Sequence, residues 1–191
     1  MFWFFSLNRK YFYLFAFVVL SVITETILFF NPVNNLVYIN LHGLLEFLII
    51  ALLFRHIFIE SLWKKYSIMI LICYLLFGIG NMFFIQGSDR VNSYTLMFES
   101  ILVVSLSLLL YWQCLQNNSQ KINFLYKPEF WFGAAFLIYF GGNFFIFANS
   151  YEYLSLNSKA TFNIWNLHSI LNILLNLLLT SAVWFSRKKY E

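Results

Sequence analysis

Charged side chains are scarce in this sequence. Only 10% of its 191 residues are charged and 61% are hydrophobic, whereas a soluble domain is typically about a quarter charged. The composition therefore excludes an ordinary soluble domain. The formal net charge of +4 comes from lysines and arginines between apolar runs, so we do not expect nucleic acid as a partner.

Cysteine is nearly as scarce, and several catalytic motifs are missing. Cys73 and Cys114 lie in or at the end of different apolar runs, which argues against a disulfide framework or a Cys-x-x-Cys metal site. The sequence has no Gly-x-Ser-x-Gly motif and no P-loop. It therefore does not predict serine hydrolysis of that type or nucleotide hydrolysis.

What the sequence does contain is a series of apolar runs of about twenty residues, long enough to cross a hydrocarbon core of roughly 30 Å. They predict an all-α polytopic membrane protein with a single transmembrane domain over residues 1–191. The six predicted spans are Tyr11–Phe30, Val37–Phe58, Tyr66–Gln86, Ser93–Gln113, Phe130–Asn149 and Phe162–Phe185.

Basic residues are distributed unevenly between the two ends of these spans. An even number of spans puts both termini on the same side. That side collects Arg9, Lys10, Arg55, Lys64, Lys65, Lys121, Lys127, Arg187, Lys188 and Lys189, and the other side has Arg90 and Lys159. Because cytoplasmic loops carry the excess of lysine and arginine, both termini are predicted to be cytoplasmic.

Short sequence patterns recur between spans. Gly80-Asn81 in the third span aligns with Gly142-Asn143 in the fifth, and the first span carries Thr24-Glu25 in the corresponding place. In the even spans, aligning Asn166 with Asn40 puts His168 on His42 and Asn172 on Glu46. The pattern predicts three parallel helical-hairpin repeats. The alternative is a chance likeness between helices rich in phenylalanine and asparagine.

The costly polar residues recur at a similar depth. With a rise of about 1.5 Å per residue, each span places its strongest polar group between the bilayer centre and the outer face. Polar groups inside a span mark a functional site by default, so we expect one outward-facing pocket. Its predicted residues are Glu25, His42, Glu46, Asn81, Glu99, Asn143, Trp165, His168 and Asn172. Separate helix–helix hydrogen bonds are the alternative.

Histidine and carboxylate in one predicted pocket leave metal binding open. His42 and Glu46 are one helical turn apart and could chelate zinc together, with His168 as a third ligand. The two histidines also lie at similar depth, as a bis-histidine haem would require. The sequence contains neither His-x-x-x-His nor His-Glu-x-x-His, so no cofactor is predicted.

Three segments carry a resemblance to other proteins. They are Phe98-Glu99-Ser100-Ile101, Pro128-Glu129-Phe130-Trp131 and the stretch from Trp165 to Asn172. Through these segments the chain resembles small six-span inner-membrane proteins of bacteria that have no assigned activity. The resemblance implies a location in the bacterial inner membrane and no particular chemistry.

Three functions fit this sequence. The first is a sensory, signalling or ligand-binding module, in which the pocket takes a small molecule and helix shifts reach a separate membrane or cytoplasmic partner protein. The short loops and missing catalytic motifs favour it. The second is a small ion- or proton-coupled transporter or channel, favoured by the repeat and the buried carboxylates. The third is a metal-dependent intramembrane enzyme acting on a lipid or isoprenoid.

Overall fold

The computed structural model describes residues 9–30, 36–59, 61–88, 90–116, 124–156 and 158–187. Its elements in chain order are α1 (Arg9–Phe30), α2 (Leu36–Ile57), α3 (Ser61–Gly80), a π-helix (Asn81–Ile85), α4 (Ser93–Gln116), a 3₁₀-helix (Phe124–Tyr126), α5 (Pro128–Leu156) and α6 (Ser158–Arg187). Lys121, Lys188 and Lys189, which contribute to the predicted charge asymmetry, lie outside the described residues.

The chain is all-helical, and six of its helices are long and apolar enough to cross a membrane. This confirms the prediction of an all-helical chain with six helices long enough to span a membrane, and the hairpin repeats and the side of the termini stay predictions. The last two helices extend beyond the predicted spans, because α5 has 29 residues and α6 has 30. Helical hydrogen bonding continues past the apolar run, whereas the hydropathy pattern reports only the apolar part. Pro128 begins α5, where its missing N–H leaves no helical hydrogen bond unmade.

Backbone contacts group the chain into two compact units, residues 1–95 and residues 96–191. In the first unit, α1 packs against α2 and α2 packs against α3. The interior of α2 consists of large apolar side chains, among them Phe47 and Phe54, which are fully buried. The Phe47 ring lies 4.2 Å from that of Tyr74 on α3, measured between centroids. The prediction of a single transmembrane domain stays a prediction.

In the second unit, α5 and α6 pack along each other. Phe132 and Phe136 on α5 and Leu175 on α6 are buried. The helices approach closely at Gly142, where an added Cβ atom would lie 2.6 Å from the Leu171 Cδ1 atom. A larger residue at this position would therefore have to displace the Leu171 side chain.

The end of α3 departs from regular α-helical geometry. The Gln86 N–H donates to the carbonyl of Asn81 over 2.9 Å, five residues back. Gly87 follows with a φ of 83°, a left-handed conformation that glycine adopts without steric cost. The chain then turns into α4, which begins at Ser93. Such π-helical turns are rare and often lie at functional sites.

Candidate functional site

A group of polar side chains joins the end of α3 to the start of α4, and we call it the Asn81 network. Its members are Asn40, Asn81, Gln86, Asn92, Ser93 and Thr95. Asn81 is completely buried. Its amide Nδ2 donates to Gln86 Oε1 and to Thr95 Oγ1, each over 2.8 Å. One side chain therefore ties the π-helix to the following turn and to the first turn of α4.

Gln86 and Asn40 complete the network. Gln86 Nε2 donates to Ser93 Oγ over 2.9 Å, and Gln86 Oε1 accepts from the backbone N–H of Tyr94 over 3.1 Å. From α2, Asn40 Nδ2 donates to the carbonyl of Arg90 over 2.8 Å, and Asn40 Oδ1 accepts from the N–H of Asn92 over 2.9 Å. The nitrogen and the oxygen of the Asn40 side-chain amide thus both bond to the backbone that leads into α4.

Two oxygens of this network lack a donor among the described residues. They are Asn81 Oδ1 and Asn92 Oδ1, in side chains that are 0% and 3% exposed. Asn92 immediately precedes α4, where an asparagine oxygen ordinarily accepts from the first helical turn. Here Gln86 accepts from that turn instead. A buried acceptor without a donor is costly, and in native proteins a water or a ligand usually satisfies it.

A second polar contact joins α1 to α2. Thr24 Oγ1 lies 3.0 Å from His42 Nδ1, and the other ring nitrogen, Nε2, lies 3.6 Å from Glu46 Oε2. The side chain of His42 is 20% exposed and that of Glu46 is 8% exposed. His42 and Glu46 are one helical turn apart in the sequence and lie side by side in the structure, with Thr24 as their neighbour on α1.

A third polar contact joins α5 to α6. His168 Nδ1 lies 2.9 Å from Asn143 Oδ1, and Asn143 is 1% exposed. An amide oxygen only accepts hydrogen bonds, so the Nδ1 atom of His168 carries a proton. Aromatic rings surround the imidazole, with centroids at 5.9 Å for Tyr139, 6.4 Å for Phe147 and 5.8 Å for Trp165.

These contacts follow one pattern along the chain. In three pairs of consecutive helical segments, a polar residue of the first segment lies within hydrogen-bond distance of a polar residue of the second. The three pairs are Thr24–His42, Asn81–Thr95 and Asn143–His168. One helical turn further along the second helix comes another polar residue, which is Glu46, Glu99 or Asn172. In the second and third pairs the first partner is the aligned asparagine, whereas in the first pair it is Thr24, one residue before the Glu25 that aligns with those asparagines.

The remaining predicted site residues differ in environment. Glu25 is exposed, so α1 contributes its neighbour Thr24 to the contact with α2. Glu99 on α4 is 1% exposed, and Trp165 on α6 is 38% exposed. Asn172 is half-buried, and its backbone carbonyl accepts from Asn176 Nδ2 over 2.8 Å. The prediction that all these residues line one pocket stays a prediction.

Within the described ranges, no group of three or more histidine, cysteine, aspartate or glutamate side chains could hold a metal ion. Sequence reasoning missed Thr24, Gln86, Asn92 and Thr95 as partners in the polar contacts. Gln86 and Asn92 each lie at the end of an apolar run, where a polar side chain is expected in any case and so does not indicate a site.

Comparison of the chain with protein-family models, curated proteins and solved structures finds no match.

Proposed function

We propose that this chain is a ligand-binding module of the bacterial inner membrane, of sensory or signalling type, that acts with a separate partner protein. The observation that carries the proposal is the pair of buried amide oxygens, Asn81 Oδ1 and Asn92 Oδ1, that accept no hydrogen bond from the described residues. A small polar molecule that presents N–H or O–H groups would supply the donors they lack.

The charge distribution supports an external position for this site. Lysines and arginines are concentrated at the ends of the spans opposite the turn between α3 and α4. Under the positive-inside rule that turn, with the Asn81 network, faces outward and both termini face the cytoplasm. A ligand would then reach the network from the outside, and a cytoplasmic or membrane partner would receive the signal.

We also propose that the chain consists of three parallel hairpin repeats. The contacts Thr24–His42, Asn81–Thr95 and Asn143–His168 support this arrangement. Chance likeness of composition would not by itself give a polar contact within one residue of the aligned position in all three helix pairs. In such a repeat the middle hairpin would have specialised for the ligand, since the two buried amide oxygens that lack a donor among the described residues both belong to the Asn81 network.

The decisive variant is Asn92→Ala, because the Asn92 backbone N–H that donates to Asn40 remains in it. Full-length protein extracted from native membranes in polymer nanodiscs should carry a small molecule detectable by native mass spectrometry. The variant should lose that molecule without losing stability, since it removes a buried acceptor that has no donor.

The matched control is Asn166→Ala, which alters an exposed asparagine of α6 and should keep the molecule. Wild-type protein without a bound molecule would mean that water satisfies the two oxygens and would refute the proposal. Retention of the molecule by Asn92→Ala would do the same. The partner is tested separately with a photo-reactive residue at the exposed Tyr126, and crosslinking from the exposed Phe83 serves as the opposite-end control.

A proton-coupled transporter is the second candidate, and the His42–Glu46 pair favours it. A carboxylate that is 8% exposed lies 3.6 Å from an imidazole within an apolar helix, and such pairs occur in proton relays of transporters. Purified protein in liposomes should then support a proton flux that Glu46→Gln abolishes. Absence of flux in the wild type would remove this candidate.

A further inference from the structure

The contact between Thr24 and His42 differs chemically from its two counterparts. A hydroxyl both donates and accepts, so Thr24 Oγ1 can meet a bare or a protonated His42 Nδ1 at the observed 3.0 Å. The Asn143 oxygen accepts only, so His168 keeps its Nδ1 proton in either charge state. The Asn81–Thr95 contact contains no group that titrates. Only the first of the three contacts can therefore reverse direction on protonation.

We propose that Thr24, His42 and Glu46 form a proton-binding site in which uptake of one proton by His42 reverses the hydrogen bond between α1 and α2. In the neutral ring, the Thr24 hydroxyl donates to Nδ1, and the ring proton is on Nε2, on the side of Glu46. After uptake of a proton from the aqueous phase, Nδ1–H donates to Thr24 Oγ1. The imidazolium and the Glu46 carboxylate then form an ion pair.

The displaced hydroxyl hydrogen of Thr24 has an acceptor available within its own helix. Ser21 Oγ donates to the Phe17 carbonyl over 3.1 Å, and Thr26 Oγ1 donates to the Val22 carbonyl over 2.7 Å. Both bonds run four residues back along α1. By the same spacing the acceptor for Thr24 would be the carbonyl of Leu20, and hydroxyl bonds of this kind tend to bend helices. Proton uptake thus changes a bond between helices and a bond within α1.

The surroundings of His42 suit a proton better than a larger ligand. Thr24, His42 and Glu46 already lie side by side, so a proton needs no cavity, and the His42 side chain is 20% exposed. Other titratable groups lie on the elements around His42. Glu25, next to Thr24 on α1, is exposed. On α3, the Tyr74 hydroxyl donates to the Gly43 carbonyl over 3.3 Å. Arg90, exposed in the turn before α4, is held through its carbonyl by Asn40.

The test is ¹⁵N NMR of the full-length protein with labelled histidine, which gives resolvable ring signals because the chain has three histidines. At high pH, neutral His42 should be protonated at Nε2 and His168 at Nδ1. At low pH, His42 should gain a proton at Nδ1. A His42 ring that is protonated at Nδ1 at high pH, or one that never takes up a second proton, would overturn the proposal.

Two variants sharpen the result. Glu46→Gln removes the carboxylate that pairs with the imidazolium, so His42 should gain its Nδ1 proton only at a lower pH than in the wild type. Glu25→Gln, the exposed control, should leave that pH unchanged. An equal response of the two variants would also overturn the proposal. Unchanged His168 signals show that each variant is folded. None of these outcomes depends on whether the Asn81 network binds a ligand.

Discussion

The side chain of Asn81 is completely buried and donates to two side chains, Gln86 and Thr95. Replacement by leucine removes both hydrogen bonds and leaves the buried Thr95 Oγ1 without the donor it has in the wild type. We therefore expect Asn81→Leu to lower the free energy of unfolding by about 1–3 kcal/mol, measured by reversible unfolding in bicelles. Asn166→Leu, at an exposed position, should change it by less than about 0.5 kcal/mol. Equal effects would show that the network contributes nothing.

Of the buried polar residues, sequence reasoning identified Glu46, Asn81, Glu99 and Asn143 as site residues, and it could not identify their partners. Thr24 and Glu25 show why. Adjacent residues on an α-helix point about 100° apart, so only the placement of the neighbouring helix decides which of them meets His42. The more polar residue was predicted, and the structure places Glu25 outside and brings Thr24 to the ring. Hydropathy gives the depth of a residue, whereas packing sets its direction.

At the scale of the helix pair, two adjacent glycines of α5 have different surroundings. A Cβ added at Gly142 would lie 2.6 Å and 2.8 Å from the two Cδ atoms of Leu171, and one added at Gly141 would meet nothing within 4 Å. Gly142→Ala should therefore destabilise the protein by about 1–3 kcal/mol through overpacking. Gly141→Ala should be neutral or slightly stabilising because alanine favours the helix. Thermal unfolding of the two variants measures the difference.

The turn after α3 provides a second test at this scale. Gly87 has a φ of 83°, which a side chain with a Cβ atom adopts at a cost of roughly 1–2 kcal/mol. Gly87→Ala should therefore destabilise the turn that the Asn81 network holds. Gly80→Ala is the matched control, because an added Cβ there meets nothing within 4 Å. Hydrogen exchange of the Gln86 and Tyr94 amides should rise in the first variant and stay unchanged in the second.

The sequence predicted the number of long helices, but it did not predict where those helices end. A long apolar run must satisfy its backbone internally, so six runs gave six helices. The π-helical turn at Asn81–Ile85 left no such signal, because its wider hydrogen bonding depends on the side-chain bonds of Asn81 and Gln86. The ends of α5 and α6 were also missed, since polar residues extend a helix without extending its apolar run.

At the scale of the whole molecule, the functional proposal depends on which end of the spans faces outward. The asymmetry of lysine and arginine acts on the entire chain during insertion, because moving these charges across the bilayer is costly. Ten basic residues, from Arg9 to Lys189, lie at one set of ends, against Arg90 and Lys159 at the other. The turn that contains Ser88 should therefore be external, and the 3₁₀-helix that contains Tyr126 should be cytoplasmic.

Labelling of single cysteines tests this orientation directly. Ser88→Cys and Tyr126→Cys, both at exposed positions, are placed in a chain that carries Cys73→Ser and Cys114→Ala. A membrane-impermeant maleimide should label position 88 in intact spheroplasts and position 126 only after permeabilisation. The reverse result would place the Asn81 network on the cytoplasmic side, so that an external ligand could not reach it. Labelling of both positions in intact cells would show that the chain inserts in two orientations, because the charge asymmetry would then be too weak to fix one.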